Sequence, residues 1–238
     1  MNGTSRNIGR ILLGEMKFGR YAAVDRLPRE TVLSEELGIS RTQLRDALAD
    51  LEREGFIARR HGVGTVINRH VLAVQNRMDI ETEFLDMIRQ SGFTPGQAFV
   101  ELDECRADSN VAEKLGIPVD TEVLCVRRLC TANGAPAIYS EDFIDKRRVY
   151  GAYDQADMLL PIFDFLRDYC GTAAVMDLTE LHAVSADQTV AAALGVAQGT
   201  PLLNMEEVDF DIEGNPILYS RQYYPDGIVR QTVLRKKL

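Results

Sequence analysis

Residues 30–55, ETVLSEELGISRTQLRDALADLEREG, decide the fold of the N-terminal part of the chain. The first half predicts a short helix from about Glu30 to Leu37, with Gly38 as its C-terminal stop because glycine adopts the left-handed conformation freely. The second half begins a new helix at Ser40, only two residues later. Two helices joined by so short a turn are typical of a helix-turn-helix, whose second helix enters the major groove of DNA.

The second helix of this pair has the features of a recognition helix. Ser40 and Gln43 have the spacing of a capping box, in which the serine hydroxyl accepts from the backbone of residue 43 while the glutamine side chain reaches back. The helix is predicted to continue to Glu54, with Gly55 as its stop. Its apolar stripe, predicted to be buried, consists of Leu44, Ala47, Leu48 and Leu51.

Polar residues in the first turns of this helix are the candidates for reading DNA. Arginine can bind guanine O6 and N7 through two hydrogen bonds and glutamine can pair with adenine, so Arg41 and Gln43 are the best candidates for base contacts. Thr42 and Arg45 are placed to reach a base or a flanking phosphate. Ser40, at the start of the helix, is included among the predicted contacts.

Two short strand-like runs follow, at residues 56–60 and 65–67, and predict a two-stranded wing. Glycines at its tip would let the backbone approach a phosphate or a minor groove closely. A surface hairpin without a partner is the alternative, but the position directly behind a helix-turn-helix favours DNA contact. The predicted contacts in the wing are His61, Gly62, Gly64 and Thr65.

The composition is that of a globular protein with two domains of ordinary size. The chain has 238 residues, of which 45% are apolar and 26% charged, and no apolar run approaches the roughly 18 residues that a membrane span requires. We see no signal peptide and expect a cytoplasmic protein. Four cysteines form no CxxC pair and are predicted to be reduced and largely buried, which argues against structural zinc and a disulfide framework: Cys105, Cys125, Cys130 and Cys170.

The net charge of −9 is divided unevenly along the chain. Residues 1–70, which begin with a predicted helix from Ser5 to Lys17, hold 12 Lys and Arg against 9 Asp and Glu. Residues 71–238 hold 15 against 27. A basic head would be attracted to DNA phosphate and an acidic body repelled by it, although chance clustering is the alternative explanation.

A series of motifs in fixed order carries a resemblance to a known family. They are Leu27-Pro28, Leu33, Leu37-Gly38-Ile39-Ser40-Arg41, Leu44-Arg45-Asp46-Ala47-Leu48, Leu51, Glu54-Gly55 and Gly62-Val63-Gly64-Thr65. Together they resemble the N-terminal domain of GntR-type regulators over about residues 5–68. The resemblance implies a dimer on a palindromic site, with Arg41 and Arg45 as principal contacts. Thr31 stands where the family usually has arginine, and Arg29 is the candidate to compensate.

An internal repeat organises the rest of the chain. Residues 111–117, VAEKLGI, are echoed 79 positions later by residues 190–196, VAAALGV, and a strand-like run follows each copy. The match resumes in residues 134–140, GAPAIYS, and 214–220, GNPILYS. Each copy is therefore predicted to be a short helix, a strand, a Gly-x-Pro turn and a second strand. Two hairpins joined side by side in one antiparallel sheet are the simplest architecture.

This repeat, with the predicted helix over 80–91 that precedes it, resembles the UTRA effector domain of the HutC branch of GntR regulators. The resemblance covers about residues 78–236. It implies an α+β fold with a mainly antiparallel sheet of about six strands and flanking helices, related to chorismate lyase. A second covering helix is predicted over 159–170. The predicted organisation is a winged helix-turn-helix over 1–68, a linker over 69–79 and an effector-binding and dimerisation domain over 80–238.

The resemblance also implies a small and usually anionic effector, such as a sugar phosphate, bound in a cleft between the hairpins. Arg128 matches a family arginine and can form a charge-assisted pair of hydrogen bonds to a phosphate or carboxylate. A second family arginine is replaced by Cys130, which weakens the case for a phosphate. The other candidates, each of which is equally well explained as an ordinary sheet residue, are Ser140, Glu141, Glu207, Tyr219, Ser220 and Tyr223.

We predict a homodimeric, ligand-responsive repressor that needs no cofactor and is not an enzyme. The sequence contains no nucleophile elbow, phosphate-binding glycine loop or metal-ligand spacing, and His182, alone in the C-terminal part, is interpreted as a packing residue. Two alternatives stay open. In one, the C-terminal domain only dimerises and senses nothing; in the other, it is a chorismate lyase-like enzyme that carries a DNA-binding head.

Overall fold

The computed structural model describes residues 3–80, 82–154 and 157–235. Some predictions fall outside these residues. They are the limits of the predicted domains at 1–2 and 236–238, and residue 81 of the predicted helix over 80–91.

The chain divides into two compact units. Residues 1–77 and 232–238 form the first unit, and residues 78–231 form the second. Among the helices of the described ranges, none has both the length and the apolar character needed to cross a membrane.

The first unit contains the predicted winged helix-turn-helix. Its elements are α1 (Gly3–Lys17), α2 (Glu30–Leu37), α3 (Arg41–Arg53), β1 (Ile57–Arg60), β2 (Gly64–Ile67), α4 (Arg69–Leu72) and β3 (Asn76–Arg77). α1 packs against α3, and the core between the elements is formed by the fully buried side chains of Leu12, Met16, Leu33, Leu44, Leu48 and Ile57.

The turn between α2 and α3 depends on the conformation of Gly38. This residue caps α2 with a φ of 64°, in the left-handed region. Its N–H donates to the Glu35 carbonyl at 3.2 Å, and the next N–H, of Ile39, donates to the Ser34 carbonyl at 3.1 Å. These two bonds satisfy carbonyls that the end of a helix leaves without partners. The predicted stop at Gly38 is confirmed.

The capping box at the start of α3 is also confirmed. The Gln43 N–H donates to Ser40 Oγ at 3.2 Å, and the Ser40 N–H donates to Gln43 Oε1 at 3.0 Å. The helix ends at Arg53, one residue earlier than predicted. Its buried residues are those of the predicted stripe, Leu44, Ala47, Leu48 and Leu51.

The segment predicted as a linker is folded in its first nine residues. The Arg69 guanidinium donates to the Met16 carbonyl at 2.7 Å, and the Arg77 guanidinium donates to the Glu54 carbonyl at 2.6 Å. Both arginines therefore attach α4 and β3 to the helices of the first unit. The linker prediction is corrected for residues 69–77, because a single helical turn held by distant carbonyls leaves no periodic pattern in the sequence.

The second unit is built on a sheet of long strands. Its elements are α5 (Phe84–Gln90), β4 (Pro95–Arg106), α6 (Ser109–Leu115), β5 (Glu122–Ala132), β6 (Ala135–Asp145), α7 (Ile162–Cys170), β7 (Met176–Ser185), α8 (Gln188–Leu194), β8 (Pro201–Phe210) and β9 (Pro216–Pro225). Short 3-10 turns at Lys146–Arg148 and Asp157–Leu159 precede α7, and a two-residue strand, β10 (Gln231–Thr232), follows β9.

Six strands form one antiparallel sheet in the order β4-β5-β6-β9-β8-β7. The repeated segments are the hairpins β5–β6 and β8–β9, and the hairpins meet where β6 pairs with β9. In that central ladder Ser140 lies opposite Gln222, and Asp142 lies opposite Ser220. The prediction of two hairpins joined side by side in one antiparallel sheet is confirmed.

The helix of each repeat ends beside the hairpin of the other repeat. A Cβ atom on Gly116, which caps α6, would lie 3.6 Å from the Pro216 ring at the start of β9. A Cβ atom on Gly195, which caps α8, would lie 3.9 Å from the Pro136 ring at the start of β6. The two repeats are therefore interleaved.

Different helices cover the two sides of the sheet. On the side covered by α5 and α7, called the α7 face, Leu124 and Val126 pack with Phe165. On the side covered by α6 and α8, called the α8 face, Leu129 and Tyr139 pack with α8. Since side chains alternate along a strand, neighbouring residues point to opposite faces.

We expect Gly38→Ala and Gly14→Ala to change stability in opposite directions. Neither glycine has an atom within 4 Å of an added Cβ, so space does not distinguish them. Gly38→Ala forces a left-handed alanine and should cost about 1 kcal/mol, whereas Gly14→Ala, at an exposed position inside α1, should stabilise by roughly 0.5–1 kcal/mol. Thermal unfolding of the full chain, with hydrogen exchange to follow the amides of the first unit, measures both. Equal effects of the two substitutions would contradict the conformation at Gly38.

Candidate DNA-binding and effector sites

The predicted base-reading residues lie on one exposed part of α3. The side chains of Arg41, Thr42 and Arg45 are all exposed. Arg41 forms no hydrogen bond or ion pair with the part of the chain that the structure describes. Arg45 has one loose ion pair, 3.9 Å from Nε to Glu30 Oε2, and its side chain is 67% exposed. An ion pair this exposed holds the side chain weakly, so both guanidinium groups can turn towards a ligand.

Gln43 and Ser40 are occupied by the helix cap. Gln43 Oε1 accepts from the Ser40 N–H at 3.0 Å and from the Ser40 hydroxyl at 2.9 Å. Bidentate pairing with adenine needs this oxygen as an acceptor and the amide nitrogen as a donor. Reading adenine would therefore compete with the cap that begins the recognition helix. The structure thus favours a structural role for this pair of residues over the predicted contact with bases.

The wing places its predicted contacts unequally. His61, Gly62 and Gly64 are exposed at the tip. Thr65 is buried, with only 9% of its surface exposed, and its carbonyl accepts from the Leu27 N–H at 2.9 Å. The prediction that Thr65 contacts DNA is corrected, because alternation along β2 turns this side chain towards the interior of the unit.

Other arginines near the wing have roles that the sequence did not reveal. Arg26 Nη1 donates to the Val63 carbonyl at the wing tip, at 3.4 Å. The Arg59 backbone and side chain both donate to the Glu52 carboxylate of α3, at 2.6 and 2.7 Å. The wing is therefore attached to the recognition helix by Arg59. Arg29, the candidate to compensate for Thr31, lies at the N-cap position of α2, where its side chain forms no capping hydrogen bond and is exposed.

The predicted effector residues do not converge on one cavity. Of the seven, four point to the α7 face: Arg128, Ser140, Glu207 and Ser220. Three point to the α8 face: Glu141, Tyr219 and Tyr223. The prediction treated adjacent residues such as Ser140 and Glu141 as partners in one cleft, and the period of two along a strand excludes this.

The four residues on the α7 face belong to a compact buried cluster. We call this cluster the polar patch. It consists of two rows of residues that lie opposite one another on neighbouring strands. The first row is Arg128, Ser140 and Gln222, and the second is Asp142, Ser220 and Glu207. All six are buried, the most exposed at 9%. Apolar clusters under α7 and α5 flank the patch on either side.

An ion pair and a serine hydroxyl organise one half of the polar patch. Arg128 Nη1 pairs with Asp142 Oδ2, and the Ser220 hydroxyl donates to Asp142 Oδ1 at 2.7 Å. Burial raises the pKa of Asp142, while Arg128 and the Ser220 hydroxyl act against that rise. In the other half, the Gln222 amide donates to Glu207 Oε2 at 3.0 Å. The patch thus places the Arg128 guanidinium, which is paired with Asp142, close to several other hydrogen-bond acceptors.

One hydroxyl in the polar patch has no hydrogen-bond partner among the described residues. Ser140 is fully buried, and its Oγ lies between Arg128 and Gln222 in the sheet register. A buried polar group without a partner is costly and in native proteins usually indicates a bound water or ligand.

Cys130 lies on the same strand as Arg128, two residues further along. Burial raises the pKa of the Cys130 thiol to about 11. This side chain is therefore neutral at the position where GntR-type regulators of the HutC branch often have arginine.

The α8 face carries an open cleft of about 450 Å³. Its polar lining includes Asn110, Ser185, Asn204, Arg221 and Tyr223. Arg221 was not predicted: its Nε donates to the Tyr219 hydroxyl at 3.1 Å and its Nη2 to Asn110 Oδ1 at 3.0 Å. Its position directly after Tyr219 and Ser220 in the repeated motif was the available signal.

A group of possible metal ligands lies beside this cleft. Ligand atoms of Glu180, His182 and Glu206 all lie within 4.8 Å of one another. The Lys114 ammonium pairs with Glu180 Oε2 at 2.5 Å and lies 3.7 Å from Glu206 Oε2, so a cation of the chain already compensates both carboxylates. His182 itself is exposed on β7, and its interpretation as a packing residue is corrected.

Two family models match the chain, one within each compact unit. The model for bacterial regulatory proteins of the gntR family matches residues 4–67, and the model for the UTRA domain matches residues 90–227. The predicted fold class, a winged helix-turn-helix followed by a UTRA-type antiparallel sheet, is confirmed.

Related proteins with assigned names are transcriptional regulators. The HTH-type transcriptional repressor NagR of Bacillus subtilis is 24% identical over 198 residues, covering 83% of this chain and 80% of the relative. The HTH-type transcriptional regulator Rv0792c of Mycobacterium tuberculosis is 26% identical over 200 residues, covering 81% and 71%. These matches point to a DNA-binding regulator and not to an enzyme.

Solved structures share the fold over nearly the whole chain. YydK of Bacillus subtilis superposes with a TM-score of 0.77 at 21% identity, covering 98% of this chain and 99% of that one. PhnF of Mycobacterium smegmatis gives 0.59 at 22% identity, with the same coverage. At these identities the likeness establishes the fold alone.

We expect the Arg128–Asp142 pair to show the energetics of a buried ion pair. Arg128→Met or Asp142→Leu alone should lower the free energy of unfolding by about 3–5 kcal/mol, because each leaves one buried charge uncompensated. The double variant should recover most of that loss, since an apolar pair of similar volume fits a buried site. Urea unfolding of the full chain measures all three variants.

An exposed pair provides the control. Arg106 and Glu122 lie 3.2 Å apart with side chains 64% and 53% exposed, so Arg106→Met should cost less than about 1 kcal/mol. If the single substitutions in the polar patch cost no more than this, the pair is solvated and the patch is open to water.

Proposed function

The chain belongs to the GntR family of bacterial regulatory proteins and carries a UTRA domain, and from this membership we propose that it is a repressor that a small metabolite releases from operator DNA. The first unit binds the DNA and the second binds the metabolite. The observation that carries the proposal is the exposed pair of arginines on α3, Arg41 and Arg45, beside a wing with an exposed glycine tip. We further propose that it acts in the cytoplasm.

DNA recognition in this proposal divides between phosphate and base contacts. Arg41 donates two hydrogen bonds to a guanine, and Arg45 and Thr42 contact a neighbouring base or phosphate. Arg29 and the wing residues His61, Gly62 and Gly64 bind the backbone or the adjacent minor groove. Ser40 and Gln43 hold the recognition helix in its position. Phosphate contacts supply most of the affinity, so binding should weaken steeply as salt is raised.

The operator in this proposal is palindromic and is bound by a homodimer. A symmetric dimer carries two recognition helices, which fit half-sites about one helical turn, roughly 34 Å, apart. The DNA-binding domain of this proposal spans residues 1–68, onto which residues 69–77 fold, and the effector-binding and dimerisation domain spans 80–238. The metabolite releases the protein from DNA because it binds more tightly to a form of the dimer in which the two DNA-binding domains no longer match this spacing.

The polar patch is the proposed effector site. It combines convergent polar side chains with apolar flanks, which is the usual composition of a small-molecule site. The buried Ser140 hydroxyl supports the assignment because a ligand oxygen would supply the partner that it lacks in the described part of the chain. An anionic group of the effector binds Arg128, whose guanidinium carries five N–H donors and can be shared with Asp142.

Arg41→Ala is expected to weaken binding to DNA from the region upstream of the protein's own gene by about 1–3 kcal/mol, or roughly 5- to 150-fold, and to reduce discrimination between sequences. Arg53→Ala is the matched control: it removes the same charge from the other end of α3 and should change affinity little. Gel shifts at two salt concentrations, with duplexes selected from random sequence as a second probe, measure both. Equal affinities of the two variants would show that α3 does not read the DNA.

Two serines of the polar patch should respond differently to alanine. Ser140→Ala removes a hydroxyl without a partner among the described residues and should leave stability unchanged or higher. Ser220→Ala removes the hydrogen bond to Asp142 and should cost about 1–2 kcal/mol. Thermal shifts with a panel of sugar phosphates and small carboxylic acids should identify a metabolite that stabilises the wild type. That metabolite should stabilise Ser140→Ala less and release wild-type protein from DNA.

A metabolite that stabilises both serine variants as strongly as the wild type would place the effector elsewhere. If no metabolite stabilises the wild type, the second unit acts only in dimerisation.

A further inference from the structure

The cleft on the α8 face lies where the other repeat has apolar side chains. The first repeat is related to the second by 79 residues up to the Gly-x-Pro turn, so Asn204 corresponds to Cys125. After that turn the offset is 80, so Tyr223 corresponds to Phe143. Cys125 lies opposite Phe143 in the sheet, and Asn204 lies opposite Tyr223. The two pairs therefore occupy equivalent places in the two repeats.

The first of these pairs belongs to a hydrophobic core, whereas the second lines the cleft. Cys125 and Phe143 pack under α6. Asn204 is polar although it is buried almost as completely as Cys125, with 4% exposed against 1%. Its Nδ2 donates to the Gln222 carbonyl at 3.2 Å, and no described residue donates to its Oδ1. A buried polar atom needs a partner, so this amide oxygen indicates a water or a ligand in the cleft.

The Tyr223 hydroxyl is another polar group of the cleft that forms no hydrogen bond within the described ranges. Its ring stacks on Tyr139 with the centroids 6.0 Å apart, so packing holds the side chain in place. Burial raises the pKa of this hydroxyl, and Asp187 and Glu206 add to the rise while Arg221 opposes it. The hydroxyl is therefore protonated at neutral pH and lies near all three charged side chains of the cleft lining.

Arg221 supplies donors for a carboxylate. Its Nε donates to the Tyr219 hydroxyl at 3.1 Å and its Nη2 donates to Asn110 Oδ1 at 3.0 Å, so two bonds orient the guanidinium. Its Nη1 lies 4.0 Å from Glu141 Oε2, which is beyond hydrogen-bonding distance. A fixed guanidinium with N–H groups still to be used is suited to binding a carboxylate.

Asp187 and Glu206 supply acceptors for an ammonium group. Asp187 Oδ1 accepts from the Val190 N–H at 2.8 Å and so caps α8. Glu206 Oε2 accepts from the Tyr219 hydroxyl at 3.0 Å and lies 3.7 Å from the Lys114 ammonium. The second oxygen of each carboxylate forms no hydrogen bond with the residues that the structure describes. Each side chain can therefore accept from a ligand without giving up its role in the fold.

We propose that this cleft binds a free amino acid with an apolar side chain, at a site separate from the polar patch. The carboxylate of the amino acid binds Arg221 Nη1 and the Tyr223 hydroxyl. Its ammonium group binds Asp187 and Glu206. The apolar side chain packs on the apolar part of the lining, which consists of Val184, Ala186 and Val190. The volume of about 450 Å³ is in the usual range for a small-molecule site.

The charges of the lining favour a zwitterion over an anion or a cation. Arg221 carries one positive charge, and Asp187 and Glu206 carry two negative charges, of which Lys114 offsets one. An anion would be repelled by the carboxylates, and a cation by the guanidinium. The polar patch lies on the opposite face of the sheet, because side chains alternate along a strand. Both sites can therefore be occupied at the same time.

Calorimetric titration of the full chain with the standard amino acids tests the ligand class. Amino acids with apolar side chains should bind. The matching amines, which lack the carboxylate, and the matching carboxylic acids, which lack the ammonium group, should bind at least roughly tenfold more weakly, because each loses hydrogen bonds to a charged group.

Asp187→Asn tests the position of the ammonium group. Asparagine caps a helix as well as aspartate does, so the variant keeps the cap and loses the charge. It should weaken amino-acid binding roughly 10- to 150-fold. Asp108→Asn is the matched control, because Asp108 caps α6 through the same 2.8 Å bond, to Val111, and does not line the cleft. Its side chain is 62% exposed, and the variant should change affinity less than about twofold.

A double substitution copies the other repeat into the cleft. Asn204→Cys with Tyr223→Phe reproduces the pair formed by Cys125 and Phe143. The variant should unfold at the same temperature as the wild type or higher, since an apolar pair replaces polar groups that lack partners in the described structure. It should bind no amino acid. Thermal unfolding in the presence of reductant verifies the fold, and calorimetry measures the binding.

The outcomes separate this inference from the proposed function. A wild type that binds no amino acid, or Asp187→Asn and the double variant binding as tightly as the wild type, would overturn the cleft site. Ser140→Ala should leave amino-acid binding unchanged; if it weakened this binding as much as Asp187→Asn, the amino acid would belong to the polar patch and the inference would fail. Binding lost in Asp187→Asn and kept in Ser140→Ala would establish the cleft site even if the protein bound no DNA.

Discussion

The antiparallel ladder between β6 and β9 is the constraint on which the second unit depends. It joins the two repeated hairpins, and it brings Ser140 and Asp142 of one repeat against Gln222 and Ser220 of the other. Because side chains alternate along a strand, the same backbone hydrogen bonds send Arg221 to the opposite face. One ladder therefore separates a closed polar patch on the α7 face from an open cleft on the α8 face.

The structure also limits which cations of the first unit can meet DNA. Arg59 is bound to the Glu52 carboxylate, and Arg69 is committed to carbonyls of its own unit. These guanidinium groups contribute to the basic count of residues 1–70 but are used in folding. The electrostatic attraction for phosphate thus rests on fewer side chains than the sequence suggests, with Arg41 and Arg45 prominent among them.

Local signals in the sequence predicted most of the fold. The glycine stop at Gly38, the Ser40–Gln43 capping box and the echoed Gly-x-Pro motifs each depend on residues close in the chain, and each was confirmed. What the sequence could not provide was the face of the fold towards which a given side chain points. That Thr65 points inward follows from packing between distant segments.

The polar patch could be anticipated from the sequence only in part for the same reason. Arg128, Ser140, Glu207 and Ser220 were among the predicted candidates, but Asp142 and Gln222, which complete the patch, depend on the register between two hairpins some 80 residues apart. The interleaving of those hairpins, seen where Gly116 approaches Pro216 and Gly195 approaches Pro136, has a consequence for folding. Each helix packs against strands of both repeats, so a repeat made alone would leave part of its helix uncovered, and we expect it to be much less stable than the whole unit, whose folding needs contacts distant in sequence.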